Sequence, residues 1–184
     1  MIKRKLKQCI DCEEGKLTYL EGNGRCQYHN RLYRAGLNKN SKSDFTDLPA
    51  LEKKLDRLVS QYVRLSRTRP DGMVQCYTSS KWMRWQDAQC GHCFNRWKGS
   101  VRWDFDNMRP QSKHENEVLD GNIEVFKPKL RAEIGEERWE KLKVRAYALE
   151  KKDRHWMMKQ IEWLSDEVHE MKEKLKDYEY RNKQ

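Results

Sequence analysis

Gln89-Cys-Gly-His92-Cys-Phe-Asn-Arg96, then Val101-Arg-Trp-Asp-Phe105, Asp106-Asn107 and Pro110-Gln111, is the stretch on which the reading of this chain turns. Gly91-His92 ends a short strand in an exposed position. Val101, Trp103 and Phe105 alternate with polar residues, which predicts a second strand. Residues 112–120 follow as a short predicted helix carrying Asn116, and Gly121-Asn122 closes it. Two strands and then a helix, with a histidine at the end of the first strand, is the ββα-metal arrangement.

That arrangement assigns three roles. His92 takes a proton from water so that the water can attack phosphorus. Asn107, fifteen residues on, holds the imidazole in orientation, and Asn116, nine further, helps hold a divalent ion, Mg²⁺ or Mn²⁺, that neutralises charge on the phosphate. Together they form an H-N-N version of the HNH pattern. A structural or zinc-bound histidine is the alternative for His92. Glycine stands at position 91, where many HNH enzymes place an aspartate ligand. Asp87 is the nearest upstream replacement, Asp104 and Asp106 are others, and water can complete the shell, since Mg²⁺ readily keeps several waters.

Upstream, Cys9-Ile-Asp-Cys12 and Cys26-Gln-Tyr-His29 form two ligand pairs with thirteen residues between them. This spacing fits a four-ligand structural Zn²⁺, with no position left open for catalysis. Free thiols in a flexible tail are the alternative, but a module this small has too little core to fold without a staple. The intervening segment, Lys16 to Arg25 with Gly22-Asn23-Gly24, reads as a short hairpin.

Composition agrees with small units. Of 184 residues 36% are hydrophobic and 37% charged, and the formal net charge of +10 favours a polyanionic partner, nucleic acid first. No apolar run is long enough for a membrane span and no signal peptide is evident, so the expected location is the cytosol. Six cysteines in a cytosolic chain point to metal ligands or buried thiols. Basic residues are interleaved with tryptophans in and near the central stretch, and Arg84, Arg96, Lys98, Arg102, Arg109 and Lys113 are the expected DNA contacts. The competing reading is that most of these rings fill the core.

The boundaries follow: a zinc-binding module over 1–45, a connecting helix over 46–69, a core over 70–122 and a helical region over 123–184. The connecting helix is signalled by Asp47, by Pro49 in its first turn and by Leu51, Leu55, Leu58, Tyr62 and Leu65 at helical spacing. In the last helix, about 153–180, Ile161, Leu164, Val168, Met171, Leu175 and Tyr178 form a seam. The seam packs either on the helix of 46–69 or on a second copy as a homodimer. The fold class is α+β: zinc module, HNH-like core, flanking long helices.

The Gly91-His92 segment, the run Arg102-Trp-Asp-Phe-Asp-Asn107, Pro110-Gln111 and the ending Asn116…Gly121-Asn122 resemble the NinG/Rap family of lambdoid phages. So do Phe126 to Leu142 around Ile134-Gly135-Glu136, and Arg154-His155-Trp156 through Leu175-Lys176-Asp177. The resemblance covers most of the chain. It implies a recombination endonuclease that cuts branched DNA (Holliday junctions, displacement loops) with a divalent metal in a bacterial host cell, with His92, Asn107 and Asn116 at the active site. Family members usually hold a second zinc by two CxxC pairs. Here those pairs read Cys76-Tyr-Thr-Ser79 and Ser112-Lys-His-Glu115. Either Cys76, Cys90, Cys93 and His114 form a substitute site, or Cys90 and Cys93 are buried thiols beside His92. A branched-DNA-binding protein on a degenerate scaffold is the alternative function, and a zinc-finger reader of duplex sequence a more remote one.

Overall fold

The structure is a computed structural model that describes residues 7–8, 17–18, 48–96, 100–148, 150 and 152–181. Two compact units emerge, Met1–Glu52 and Lys53–Gln184. In the first, strand β1 (Lys7–Gln8) pairs antiparallel with β2 (Leu17–Thr18), with Gln8 opposite Leu17. Apart from Leu17–Thr18, the hairpin expected over Lys16 to Arg25 lies outside the described residues. The zinc ligands themselves, Cys9, Cys12, Cys26 and His29, lie outside the described residues.

Helix α1 runs Leu48–Leu65 with Pro49 in its first turn, as expected, and from Lys53 onward it belongs to the second unit. Leu55, Leu58, Val59, Val63 and Leu65 are buried along one side, while Lys53 and Arg57 stay exposed. That division is what an amphipathic 3.6-residue period produces. Three short antiparallel segments of sheet are present among the described residues, and two lie in this unit. Strand β3 (Met73–Gln75) pairs with β4 (Trp82–Arg84), and β5 (Gln89–His92) pairs with β6 (Met108–Gln111) in the register His92 to Met108 and Gly91 to Arg109. The Tyr77 N–H donates to the Pro110 carbonyl at 2.8 Å, tying the first hairpin to β6.

The second strand is therefore not at residues 101–105. That segment is turns followed by one 3₁₀ turn, Phe105–Asn107. The reason is local: the Asp104 carboxylate accepts the Asp106 N–H at 3.0 Å, and the Asn107 N–H donates to the Asp104 carbonyl at 2.9 Å. An aspartate that bonds its own backbone two residues on bends the chain and competes with a ladder. Val101 and Trp103 are buried without being a strand. The helix expected over 112–120 is a single wide π-type turn, His114–Val118.

Helices α2 (Ile123–Ile134) and α3 (Glu136–Tyr147) meet at Gly135, whose φ of 78° a residue with a Cβ adopts only under strain. Phe126, Leu130 and Ile134 from α2, and Trp139, Leu142 and Ala146 from α3, close over Tyr77, Cys93 and Val101. Full burial of each large side chain contributes about 1.5–3 kcal/mol. Helix α4 (Arg154–Arg181) buries Ile161, Leu164 and Val168 within the chain. Trp163 on α4 meets Tyr62 on α1 at 5.3 Å between ring centroids. Helix α4 thus lies against the chain's own α1 over this length. No helix among the described residues is long and apolar enough to cross a membrane.

Candidate functional site

A cavity of about 360 Å³ opens between α1 and the β5–β6 hairpin, and His92, Asn116, Asp56 and Arg102 are among the residues on its wall. His92 is the last residue of β5. Its Nε2 lies 3.2 Å from the Arg102 carbonyl. A carbonyl only accepts, so Nε2 carries the proton and Nδ1 holds the ring's lone pair. Burial lowers the imidazole's pKa, Arg96 adds to the lowering, and the Arg102 and Cys90 backbone and Asp56 oppose it. The ring is therefore neutral near pH 7, the form that accepts a proton.

Asn107, expected to orient this imidazole, offers it neither its backbone carbonyl nor its side chain. The Asn107 carbonyl accepts the Cys93 N–H at 2.9 Å. The fully buried Asn107 side chain accepts from the Phe94 N–H at 2.7 Å and donates to the Phe94 and Val101 carbonyls at 2.9 and 3.1 Å. It staples together the loop that delivers the Arg102 carbonyl to His92. Asn107 acts on the histidine at one remove.

Asn116 lies on the cavity wall with Gln89 and Glu117. Its Nδ2 donates to Gln89 Oε1 at 2.7 Å, and Gln89 Nε2 donates to Glu117. These bonds leave the Asn116 amide oxygen toward hard-cation chemistry, while the second Glu117 oxygen faces the exposed Lys113 ammonium at 3.9 Å, a loose surface pair of small net strength. Among the described residues no three His, Cys, Asp or Glu side chains converge as a metal cage. The donors present fit an ion that keeps most of its waters, as Mg²⁺ does. Asp87, by contrast, sits in the turn after β4, next to Ala88 on the cavity wall but not itself among the residues lining it. Asp104 and Asp106 are engaged by Arg145 (Nε to Asp104 at 2.6 Å, Nη2 to Asp106 at 3.1 Å) and by Arg138, so they do not join Asn116.

Glycine at 91 has a steric cause. A Cβ there would fall 1.8 Å from Gln111 Oε1 and 2.6 Å from its Cδ. Gln111 is fully buried and donates from Nε2 to Thr78 Oγ1 and the Gly121 carbonyl, so it cannot readily leave.

Asp56 was not anticipated. Its carboxylate takes Arg102 Nε and Nη2 at 3.1 and 2.7 Å, the Trp103 indole N–H at 2.8 Å and, more loosely, Arg96 at 3.7 Å. One α1 residue thus clamps the segment whose carbonyl holds His92. The signal available was an acidic residue in a helix otherwise rich in lysine and arginine.

The expected DNA contacts divide. Arg96 and Arg102 line the cavity, and Arg84 and Lys113 are exposed. Arg109 is a correction: it is buried, pairs with Glu133 at 3.0 Å and donates to the Phe105 and Met108 carbonyls, so it cannot face DNA. Lys98 lies outside the described residues. The substitute zinc site is not formed either. Cys93 sits in the apolar core, where burial pushes its thiol up to about 11, while Cys90 faces the cavity. Cys76 accepts the Ser112 N–H at 3.3 Å and lies 3.6 Å from Thr78 Oγ1. Of the tryptophans, Trp139 and Trp103 are core, while Trp82 is half exposed.

A paired β5–β6 hairpin, a stapled loop and a histidine that shares a cavity wall with Asp56, Arg102 and Asn116 make this a small α+β protein with a polar candidate site. The chain matches the family described as bacteriophage lambda NinG protein over residues 25–180, and it belongs to that family. No curated protein and no solved structure matches it.

Proposed function

We propose that the protein is a divalent-metal-dependent endonuclease of phage recombination that hydrolyses phosphodiesters in branched DNA. The observation that carries this reading is His92: a neutral imidazole fixed by the Arg102 carbonyl, on the wall of a cavity shared with Asn116. Strand, stapled loop, strand and helical turn follow in the order of a ββα-metal core, and the NinG membership supports the recombination setting.

His92 Nδ1 takes a proton from water as the water oxygen bonds to phosphorus, the bond from phosphorus to the leaving sugar oxygen breaks, and solvent supplies that oxygen's proton. Arg96 and Arg102 orient the phosphate. Asn116 and Glu117 would hold a Mg²⁺ or Mn²⁺ ion, which supplies charge neutralisation at the phosphate when bound. In the N-terminal unit, Cys9, Cys12, Cys26 and His29 would hold a structural Zn²⁺.

The test is cleavage of a labelled four-way junction and a matched linear duplex with Mg²⁺ or Mn²⁺. We expect metal-dependent cutting of the junction and a loss of about 100-fold or more in His92→Ala. Tight junction binding with no cutting under either metal overturns the nuclease reading and leaves a binder of DNA structure, the outcome that Gly91 and the sparse ligand set would then explain.

A further inference from the structure

Cations at the cavity's edge differ in how they are neutralised. Arg102 and Arg96 face the Asp56 carboxylate. On the α1–α4 side the charges crowd one another instead. Arg64 is anchored by Nη1, which donates to the Ala88 carbonyl at 2.9 Å and reaches those of Trp85 and Gln86, and by Nε, which donates to Ser60. Its Nη2 makes no bond among the described residues. The guanidinium stands 5.5 Å from the Trp85 ring centroid, and the Lys172 ammonium, from α4, stands 5.8 Å from the same ring. Lys172 Nζ donates to Gln61 Oε1 at 2.8 Å, a neutral acceptor. Burial lowers the Lys172 pKa first, and Arg64, Arg57 and Lys176 lower it further. Burial and Arg57 together bring Lys54 down to about 8.

Like charges held this close on a partly desolvated surface cost free energy that an arriving anion recovers. We propose that Arg64 and Lys172, held over the Trp85 indole, and the exposed Arg57 two turns earlier on α1 form a phosphate-binding ridge that carries the DNA backbone away from the His92 cavity along α1 and α4. Arg64 joins the two places, because it lines the cavity and touches Trp85. Continuity with that cavity selects nucleic acid over an anionic membrane. The ridge rests on the reading of the cavity as a phosphodiester site.

The experiment measures binding, not cutting. Fluorescence anisotropy of a fluorescein-labelled four-way junction is followed over a salt series, in the full-length His92→Ala protein without added divalent metal. That parent is compared with the same protein carrying Arg57→Gln and Lys172→Gln, and circular dichroism melting verifies that the variant folds. Each lost phosphate contact reduces the slope of log K against log salt by about 0.9, so the slope should shrink by about 1.8, with affinity at low salt down about tenfold or more. Lys172→Gln alone should give about half the change in slope. An unchanged slope and affinity in a folded double variant, with the parent binding normally, overturns the ridge and leaves the nuclease reading standing. A parent that binds no DNA overturns both.

Discussion

The Gln111 side chain lies directly over the backbone of Gly91, so close that a Cβ on Gly91 would sit 1.8 Å from Gln111 Oε1. The two residues occupy neighbouring strands of the hairpin that carries His92. A methyl group at 91 must displace a buried amide that holds Thr78 and Gly121. Gly91→Ala should destabilise the protein by about 2–4 kcal/mol, through overpacking and two lost bonds. Gln111→Ala should be costly alone yet relieve Gly91→Ala in the double variant. Urea unfolding of the four proteins of this cycle checks it, and strict additivity would count against the contact.

Asp56→Asn keeps the shape of the side chain but removes the charge that Arg102, Arg96 and the Trp103 indole share. The Arg102 carbonyl should loosen its hold on His92. If the proposed activity is present, turnover should fall about tenfold or more with little change in junction affinity, a split that kinetics at saturating DNA resolves. Stability should drop by about 1–3 kcal/mol, since charged hydrogen bonds at a partly exposed site are weakened by solvent.

Asn107→Ala removes one acceptor and two donated bonds and leaves buried partners at Phe94 and Val101. A loss of about 2–4 kcal/mol is expected, seen as a lower urea midpoint at unchanged slope. Asn107→Asp should be comparably harmful, because a carboxylate cannot donate to two carbonyls.

Burial keeps the folded imidazole of His92 below its ordinary pKa of about 6.5. The unfolded chain therefore binds this proton first as pH falls. The contribution to stability is complete above about pH 6.5 and is lost progressively as pH drops toward the folded value. For the proposed base, the acid limb of kcat/KM should lie below pH 6.5. A limb at or above that value would mean that the ring is more open to water than the cavity suggests.

Glu133 is held down to about 2: burial raises it, and hydrogen bonds from Arg109 and Arg67 more than reverse that. Its stabilising effect is present above about pH 4.3 and lost as pH falls toward 2. Glu133→Gln strands the Arg109 guanidinium in the interior. Removing a partner from a buried pair costs about 3–5 kcal/mol, and Glu133 is open to solvent on one side, so about 2–3 kcal/mol is expected by thermal unfolding.

How much of this was legible depended on how local the information is. Helix α4 and the break at Gly135 follow from periodicity and from one residue's backbone freedom. His92 at the end of a strand follows from the residues next to it. Strand β6 did not show, because Met108-Arg-Pro-Gln111 has no polar–apolar alternation: all four residues are buried, and two of them are polar. Arg109 looked like a surface cation because the carboxylate that neutralises it lies on another helix. Asp56 was hidden for the same reason, since its three partners lie beyond a turn and three strands. Aspartates 104 and 106 had the composition of metal ligands, and only their contacts with Arg145 and Arg138 show them to be structural.

Arg64 has a practical consequence. Its anchoring of α1 to the Trp85–Ala88 turn makes the helix a wall of the cavity as well as a connection to the N-terminal unit. Anyone trimming the gene to a minimal fragment would be tempted to begin at Pro70, where a turn invites a cut. Such a fragment would keep His92 and lose its scaffolding, so the shortest useful piece begins ahead of Leu48.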